Sequence, residues 1–310
     1  MTITQNTKRE IIIIGGGPAG ITSAIQLTRY GLEPILLEKR ELGGLLWNAN
    51  LVENYPGFPN GVAGTKLIQL IKKQSERIGV SVTREEVVKV DWEGDCFSVD
   101  TEHEVRITDY LVIASGTKSK PLPGMVSPEA QVRVFTEVWP LLKEEGKRVV
   151  IIGAGDAAFD YALNLSKRGN FVTILNRGET VKCIRLLFER AAREPRIAYR
   201  ARTAVKLVES QRSKIAQPST LDFRLNVVCE TETFEADYVL FAIGRVPNLG
   251  FLSNEVRQRE QELVTLGRLY FVGDVKNELY RQVAIAAGDG LRAAMEIYSR
   301  ISNENFSENR

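Results

Sequence analysis

Apolar positions in this 310-residue chain follow two patterns. Short unbroken apolar runs predict strands covered on both faces, and apolar residues recurring every three or four positions predict helices packed along one side. The four isoleucines at 11–14 form the first such run, and glycines at 15, 17 and 20 turn it into a helix. That helix is expected from Pro18 to Tyr30, with Ala19, Ile21, Ala24, Ile25 and Leu27 at helical spacing and Gly31 placed to end it. A second strand is predicted at 34–39. The stretch 40–63 has no period and is rich in glycine and aromatic residues; a loop of this length in a compact domain is usually functional. An amphipathic helix is predicted over 64–78 and an antiparallel meander over 80–107, with turns at Glu93-Gly94 and near Glu102-His103. Residues 109–116 then read as a buried strand ending in small residues, Ala114 and Gly116 among them, which allow close approach of another backbone or a ligand.

The opening pattern recurs beyond a breaker-rich linker at 118–124. Residues 149–152 predict a buried strand, Gly153 and Gly155 a turn, and a helix runs on to Gly169 with Ala158 as the third small residue; a strand follows at 171–175. Internal repetition of this kind is far more specific than either copy alone. Strand-like runs alternate with polar turns over 199–233. Residues 236–243 repeat the 109–116 pattern into Gly244, and 245–248 form a second linker. The chain returns through a strand ending at Gly273-Asp274 and a helix over 280–301 containing Ala284, Ala286, Ala287 and Gly288, before a polar tail expected to fray.

Strand, glycine turn and helix together make a dinucleotide cradle. Gly15 permits the tight turn, Gly17 lets a pyrophosphate reach the backbone, and Gly20 lets the helix sit close to the strand, with the anion at the helix N-terminus beside Pro18 and Ala19. Glu38, 18 residues after Gly20, stands where a carboxylate accepts hydrogen bonds from both hydroxyls of an adenosine ribose. The second copy lacks that acid. It carries Asn176 and Arg177, with Lys182 shortly after, a set that favours the 2′-phosphate of NADPH over NADH; the alternative is a pair of solvated surface cations beside Glu179. Gly273 and Asp274 suit a ribityl-phosphate segment, and the amides opening the last helix suit the negative charge of a reduced flavin.

Composition narrows the class without naming a function. Hydrophobic content of 44%, charged content of 26% and a net charge of +2 are those of a soluble globular protein and argue against nucleic acid as the main partner. The polar start has no signal-peptide pattern and no apolar run approaches membrane-spanning length, so a cytoplasmic protein without membrane contact is expected. The cysteines, at 96, 183 and 229, form neither a disulfide framework nor a metal-ligand spacing, and a single histidine disfavours metal or triad chemistry. Cys183, flanked by Lys182 and Arg185 near an expected helix start, is the one whose surroundings favour a lowered thiol pKa.

These motifs resemble the low-molecular-weight thioredoxin reductase family over nearly the whole chain. The resemblance rests on Gly15 to Gly20, Gly43-Gly44-Leu45, Glu53-Asn54-Tyr55-Pro56-Gly57-Phe58, Gly153 to Ala158, Ile243-Gly244-Arg245-Val246-Pro247-Asn248, and Gly273-Asp274 with Tyr280-Arg281-Gln282-Val283-Ala284. It implies an α/β fold of two three-layer Rossmann-like domains. An FAD domain (1–117 and 247–310) would carry an inserted NAD(P)H domain (118–246), with the two linkers as a hinge, usually in a homodimer. FAD would be contacted by Gly15, Gly17, Pro18, Ala19, Gly20, Glu38, Gly43, Gly44, Leu45, Asn54, Ala114, Gly116, Gly273, Asp274, Arg281, Gln282 and Val283. NADPH, with NADH as the alternative, would be contacted by Gly153, Gly155, Asp156, Ala158, Asn176, Arg177, Lys182 and Gly244. No metal and no catalytic side chain is implied, because the flavin carries the chemistry.

One departure bears on function. The family carries Cys-x-x-Cys followed by Asp shortly before the second glycine motif, and those places hold Thr136, Glu137, Val138, Trp139 and Pro140. None of these can exchange a disulfide. The expected activity is electron transfer from NAD(P)H through FAD to an external acceptor such as ferredoxin, flavodoxin or an iron-sulfur enzyme. Direct reduction of an external disulfide, a quinone or oxygen, and a slow flavin- or nucleotide-binding sensor, are the alternatives.

Overall fold

The computed structural model describes residues 10–122, 124–211 and 224–308. The polar start, Pro123 of the first linker, 212–223 within the strand-rich stretch and the last two residues lie outside these. The chain divides into two units, one of Met1–Trp47, Glu53–Lys118 and Val246–Arg310, the other of Asn48–Val52 and Ser119–Arg245.

The first unit is built on a five-stranded sheet ordered Leu269–Phe271, Tyr110–Ile113, Ile11–Ile14, Ile35–Leu37, Ser81–Thr83 from edge to edge, with every pairing parallel. All four isoleucines of the central strand are buried, as a strand with no polar alternation requires when both faces are covered. Helices Pro18–Arg29, Gly64–Ile78 and Val283–Glu308 belong to the same unit. The last meets the first closely, since a Cβ at Gly290 would overlap the Ala19 carbonyl and Ser23 Oγ donates to Gly290 O at 3.0 Å. The expected meander is present as Val87–Trp92, Phe97–Thr101 and Val105–Thr108. Ser81–Thr83 departs from expectation: it joins the parallel sheet beside Ile35–Leu37. The last helix begins at Val283 rather than 280 and continues to Glu308, so most of the expected frayed tail is helical. Two short helices, Asn254–Gln258 and Glu260–Thr265, occupy a stretch that carries no clear period.

In the second unit the sheet order is Ile197–Arg200, Phe171–Leu175, Arg148–Ile152, Tyr238–Phe241, Val134–Phe135, again all parallel. The central strand feeds the glycine turn and the helix Asp156–Ser166, which ends three residues before Gly169. An antiparallel sheet of Val205–Ser210, Leu225–Cys229 and Thr233–Ala236 completes the unit with the helix Arg185–Arg193. The linkers themselves pair, Thr117–Ser119 with Arg245–Pro247. Among the described residues no helix is long and apolar enough to cross a membrane.

Candidate functional site

Each unit carries a glycine turn at the carboxyl edge of its parallel sheet, where open α/β sheets bind ligands. In the first, Gly15 has φ +106°, and a Cβ there would overlap the backbone at Ala114. Gly15 N donates to Leu37 O at 2.8 Å and Ala114 N to Ile14 O at 2.8 Å, which fastens the turn between its neighbouring strands. A Cβ at Gly20 would overlap Gly15 O and lie 3.1 Å from Ala114 Cβ, so the helix seats directly on the turn. Gly17 is the opposite case. Among the described residues nothing lies within 4 Å of the place its Cβ would take, and the helix it caps has no side-chain cap and no acid in its first turn. The amides at Ala19 and Gly20 therefore end a 12-residue helix with Pro18 at its start and open space before it, a fit for an anion.

Of the other residues expected here, Glu38, Gly43, Gly44 and Gly273 meet this turn, and Asn54, Gln282 and Gly116 are placed by contacts of their own. Glu38 Oε2 accepts from Gly16 N at 2.7 Å and Oε1 from Arg40 N at 2.8 Å, fixing the carboxylate against the glycines. Gly43 N donates to Gly16 O at 2.7 Å, and a Cβ on Gly44 would lie 3.3 Å from Gly17 Cα. The Gly44–Asn48 turn, which contains Leu45, is thereby laid over the first loop. Gly273 has φ +74°, and its Cβ would meet Ala19 Cβ at 2.8 Å, so Gly273 and Asp274 stand at the same helix start. Asn54 Nδ2 donates to Gln282 Oε1 at 2.7 Å across 228 positions of sequence. Arg281, beside it, has a buried Nε without a hydrogen-bond partner among the described residues, and Val283 opens the closing helix. Gly116, at φ +62° and open above, accepts from Asn248 N at 3.0 Å. A residue that the motifs do not reveal is Asp289, whose Oδ2 accepts from Gly273 N at 3.0 Å and Asn277 Nδ2 at 2.6 Å and so holds the Gly273 loop. Its only sequence signal is an acid between Gly288 and Gly290.

The second turn repeats the backbone geometry with different side-chain commitments. Gly153, at φ +127°, presses on Ala242, and Gly155 is almost open, with only Lys182 O near its missing Cβ at 3.9 Å. Ala158 is buried under the turn. Asp156 lies in the first helical turn, and its Oδ1 accepts from Ile184 N at 2.8 Å. Lys182 N donates to Ala154 O at 2.9 Å. These two bonds zip the 177–184 loop onto the turn and leave the side chains of Arg177 and Lys182 exposed. Asn176 is buried and builds the loop: Nδ2 donates to Thr180 O and Tyr199 Oη, and Oδ1 accepts from Gly178 N. Glu179 pairs with Arg202. Gly244 has φ +105°.

Burial and the nearby Asp156 push the Cys183 thiol up, opposite to what Lys182 and Arg185 suggest by sequence proximity. At the places without cysteines, Glu137 Oε2 accepts from Trp139 Nε1 at 3.1 Å, and Oε1 accepts from Arg245 at 3.3 Å. Val138 is fully buried between them.

The profile of the family described as Pyridine nucleotide-disulphide oxidoreductase matches residues 9–290. The chain is 31% identical over 326 residues to the thioredoxin reductase of Chlamydia trachomatis, covering 98% of this chain and 100% of that one. It is 31% identical over 309 residues to the thioredoxin reductase of Chlamydia pneumoniae, covering 92% and 96%. Thioredoxin reductase from Lactococcus lactis superposes with a TM-score of 0.77 at 26% identity, covering 96% of this chain and 100% of that one. FAD and NADPH are the cofactors of these enzymes, and the open space at Gly17 and Gly155, each before a helix without a side-chain cap, fits such ligands. The chain belongs to the pyridine nucleotide-disulphide oxidoreductase family, as a thioredoxin reductase-like NAD(P)H-dependent flavin oxidoreductase.

Proposed function

We propose that this enzyme takes electrons from NADPH through FAD and delivers them to an external iron-sulfur or flavin protein, such as a ferredoxin or flavodoxin, without using a dithiol of its own. The observation that carries this reading is the segment at 136–140. It holds no cysteine, and its Glu137 is engaged with Arg245 and Trp139. The first unit would hold FAD: the amides after Gly17 receive the pyrophosphate, Glu38 the adenosine ribose, and Gly273, Asp274, Asn54, Arg281 and Gln282 the flavin half. The second unit would hold NADPH at Gly153 and Gly155, with Arg177 and Lys182 on the 2′-phosphate. When bound, FAD accepts a hydride from the nicotinamide and releases electrons singly, which suits a one-electron acceptor. A homodimer is the assembly that the family resemblance supports.

The family description favours one second reading, direct reduction of an external disulfide. An anaerobic acceptor screen separates the two. Ferredoxin or flavodoxin is expected to support the fastest NADPH oxidation, ahead of quinone, oxygen and low-molecular-weight disulfides. Fastest turnover with a disulfide would move the assignment to the second reading, and no turnover above oxygen background would leave a nucleotide-binding sensor.

A further inference from the structure

The second glycine turn has an electrostatic deficit that the first does not. Asp156 places a carboxylate in the first turn of its helix, where a negative charge offsets the helix dipole that would otherwise favour a pyrophosphate. The first turn has no acid at the corresponding place. A dinucleotide at Gly155 therefore needs a cation from elsewhere in the unit. Arg177 and Lys182 follow the strand Phe171–Leu175, on one side of the central strand Arg148–Ile152. Gly244 follows Tyr238–Phe241 on the other side, and Ala242 touches Gly153 there.

Lys120 reaches that other side although it lies 124 positions before Gly244. Its backbone N–H donates to Gly244 O at 3.1 Å. Its stem and ammonium lie along the face of Gly244, where a Cβ would be 3.5 Å from Cε, 3.7 Å from Cδ and 3.8 Å from Nζ. The next residue, Arg245, is already occupied by Ser119 Oγ at 3.1 Å and by Glu137. Lys120 is exposed. We propose that Lys120 is a binding residue for the nicotinamide-side phosphate of the pyrophosphate, supplying the positive charge that Asp156 offsets at the helix end. A glycine at 244 leaves the lysine stem and ammonium lying against the backbone that follows Tyr238–Phe241, the strand beside the one that feeds the turn. The proposal rests on the reading of the second unit as the NADPH unit.

The test is isothermal titration of the FAD-loaded enzyme with NADP+, NAD+ and adenosine 2′,5′-bisphosphate, which lacks the nicotinamide-side phosphate. Lys120→Met keeps the apolar stem on Gly244 and removes the charge. It is expected to weaken NADP+ and NAD+ by a similar factor, about tenfold for one charge-assisted contact, and to leave the bisphosphate unchanged. Lys120→Arg is expected to restore most of the affinity, and added salt to shrink the difference. Arg177→Ala provides the opposite pattern, weakening NADP+ and the bisphosphate while sparing NAD+. Unchanged NADP+ affinity in Lys120→Met, or an equal loss for the bisphosphate, overturns the assignment. Wild-type enzyme that binds neither NADP+ nor NAD+ overturns the reading of the second unit, an outcome visible before any variant is made.

Discussion

Asp160 shows how far one side chain's environment can move its chemistry. It lies on the helix Asp156–Ser166, accepts from Asn50 N at 2.9 Å, and burial pushes its carboxyl up to about 6. The folded chain thus holds this proton more tightly than the unfolded chain, whose carboxyl titrates near 4. Stability from this group is greatest below about 4 and falls as pH rises through about 6, by about 3 kcal/mol in all. Asp160→Asn keeps an acceptor for the Asn50 amide and removes the buried charge. Thermal melts should show a gain of several degrees at pH 7.5 and none at pH 4; an equal gain at both would point to packing instead. Asp160, like Asp156, Asn176 and Cys183, marks the limit of reading residues from sequence. Asn176 stands at the ribose end of a motif but spends its donors on Thr180 and Tyr199. Cys183 has two cationic neighbours in sequence but feels burial and Asp156. A polar side chain takes its partner from the tertiary structure, and sequence neighbours predict it poorly.

Elements whose identity depends on backbone demands were the most legible. The glycine turns declare themselves because only glycine tolerates φ +106° at 15 or +127° at 153, and the helix Gly64–Ile78 has the bounds its apolar period predicts. Ser81–Thr83 was hidden for the opposite reason. Three residues with Ser81 and Val82 exposed carry no pattern, and their place is set by pairing with Ile35–Leu37. The two kinds of glycine in the first turn make a paired prediction. Gly15→Ala forces a Cβ into the Ala114 backbone at positive φ and should lower unfolding free energy by about 2–4 kcal/mol. Gly17→Ala meets no atom of the described residues within 4 Å and has φ −76°; its fold should lose less than about 1 kcal/mol, the difference between glycine and alanine at a helix cap. Its FAD content after gel filtration should nevertheless collapse, because the added methyl fills the ligand's space. Full FAD content in Gly17→Ala, read beside urea midpoints of both variants, would contradict the placement of the pyrophosphate.

Across the whole chain, duplication made the architecture readable: strand, glycine turn and helix occur twice, and each copy organises one five-stranded parallel sheet. The assignment of residues 48–52 to the second unit was not readable, because this segment lies inside a loop that otherwise belongs to the first. It is held by contacts spread over the second unit, Asn48 Oδ1 accepting from Trp139 N and Asn50 Oδ1 from Lys167 Nζ. Lys120 beside Gly244 was invisible for the same reason, being distant in sequence and adjacent only in the fold. The functional departure, by contrast, is written in the sequence, since residues 136–140 contain no cysteine. Its most direct test is the anaerobic titration of the FAD-loaded enzyme with NADPH, following flavin absorbance. An enzyme without a participating dithiol should bleach fully with about one NADPH per FAD and be indifferent to prior thiol alkylation. Consumption of about two NADPH per FAD, reduced to one by alkylation, would show that the electrons pass through protein thiols and would contradict the proposed route.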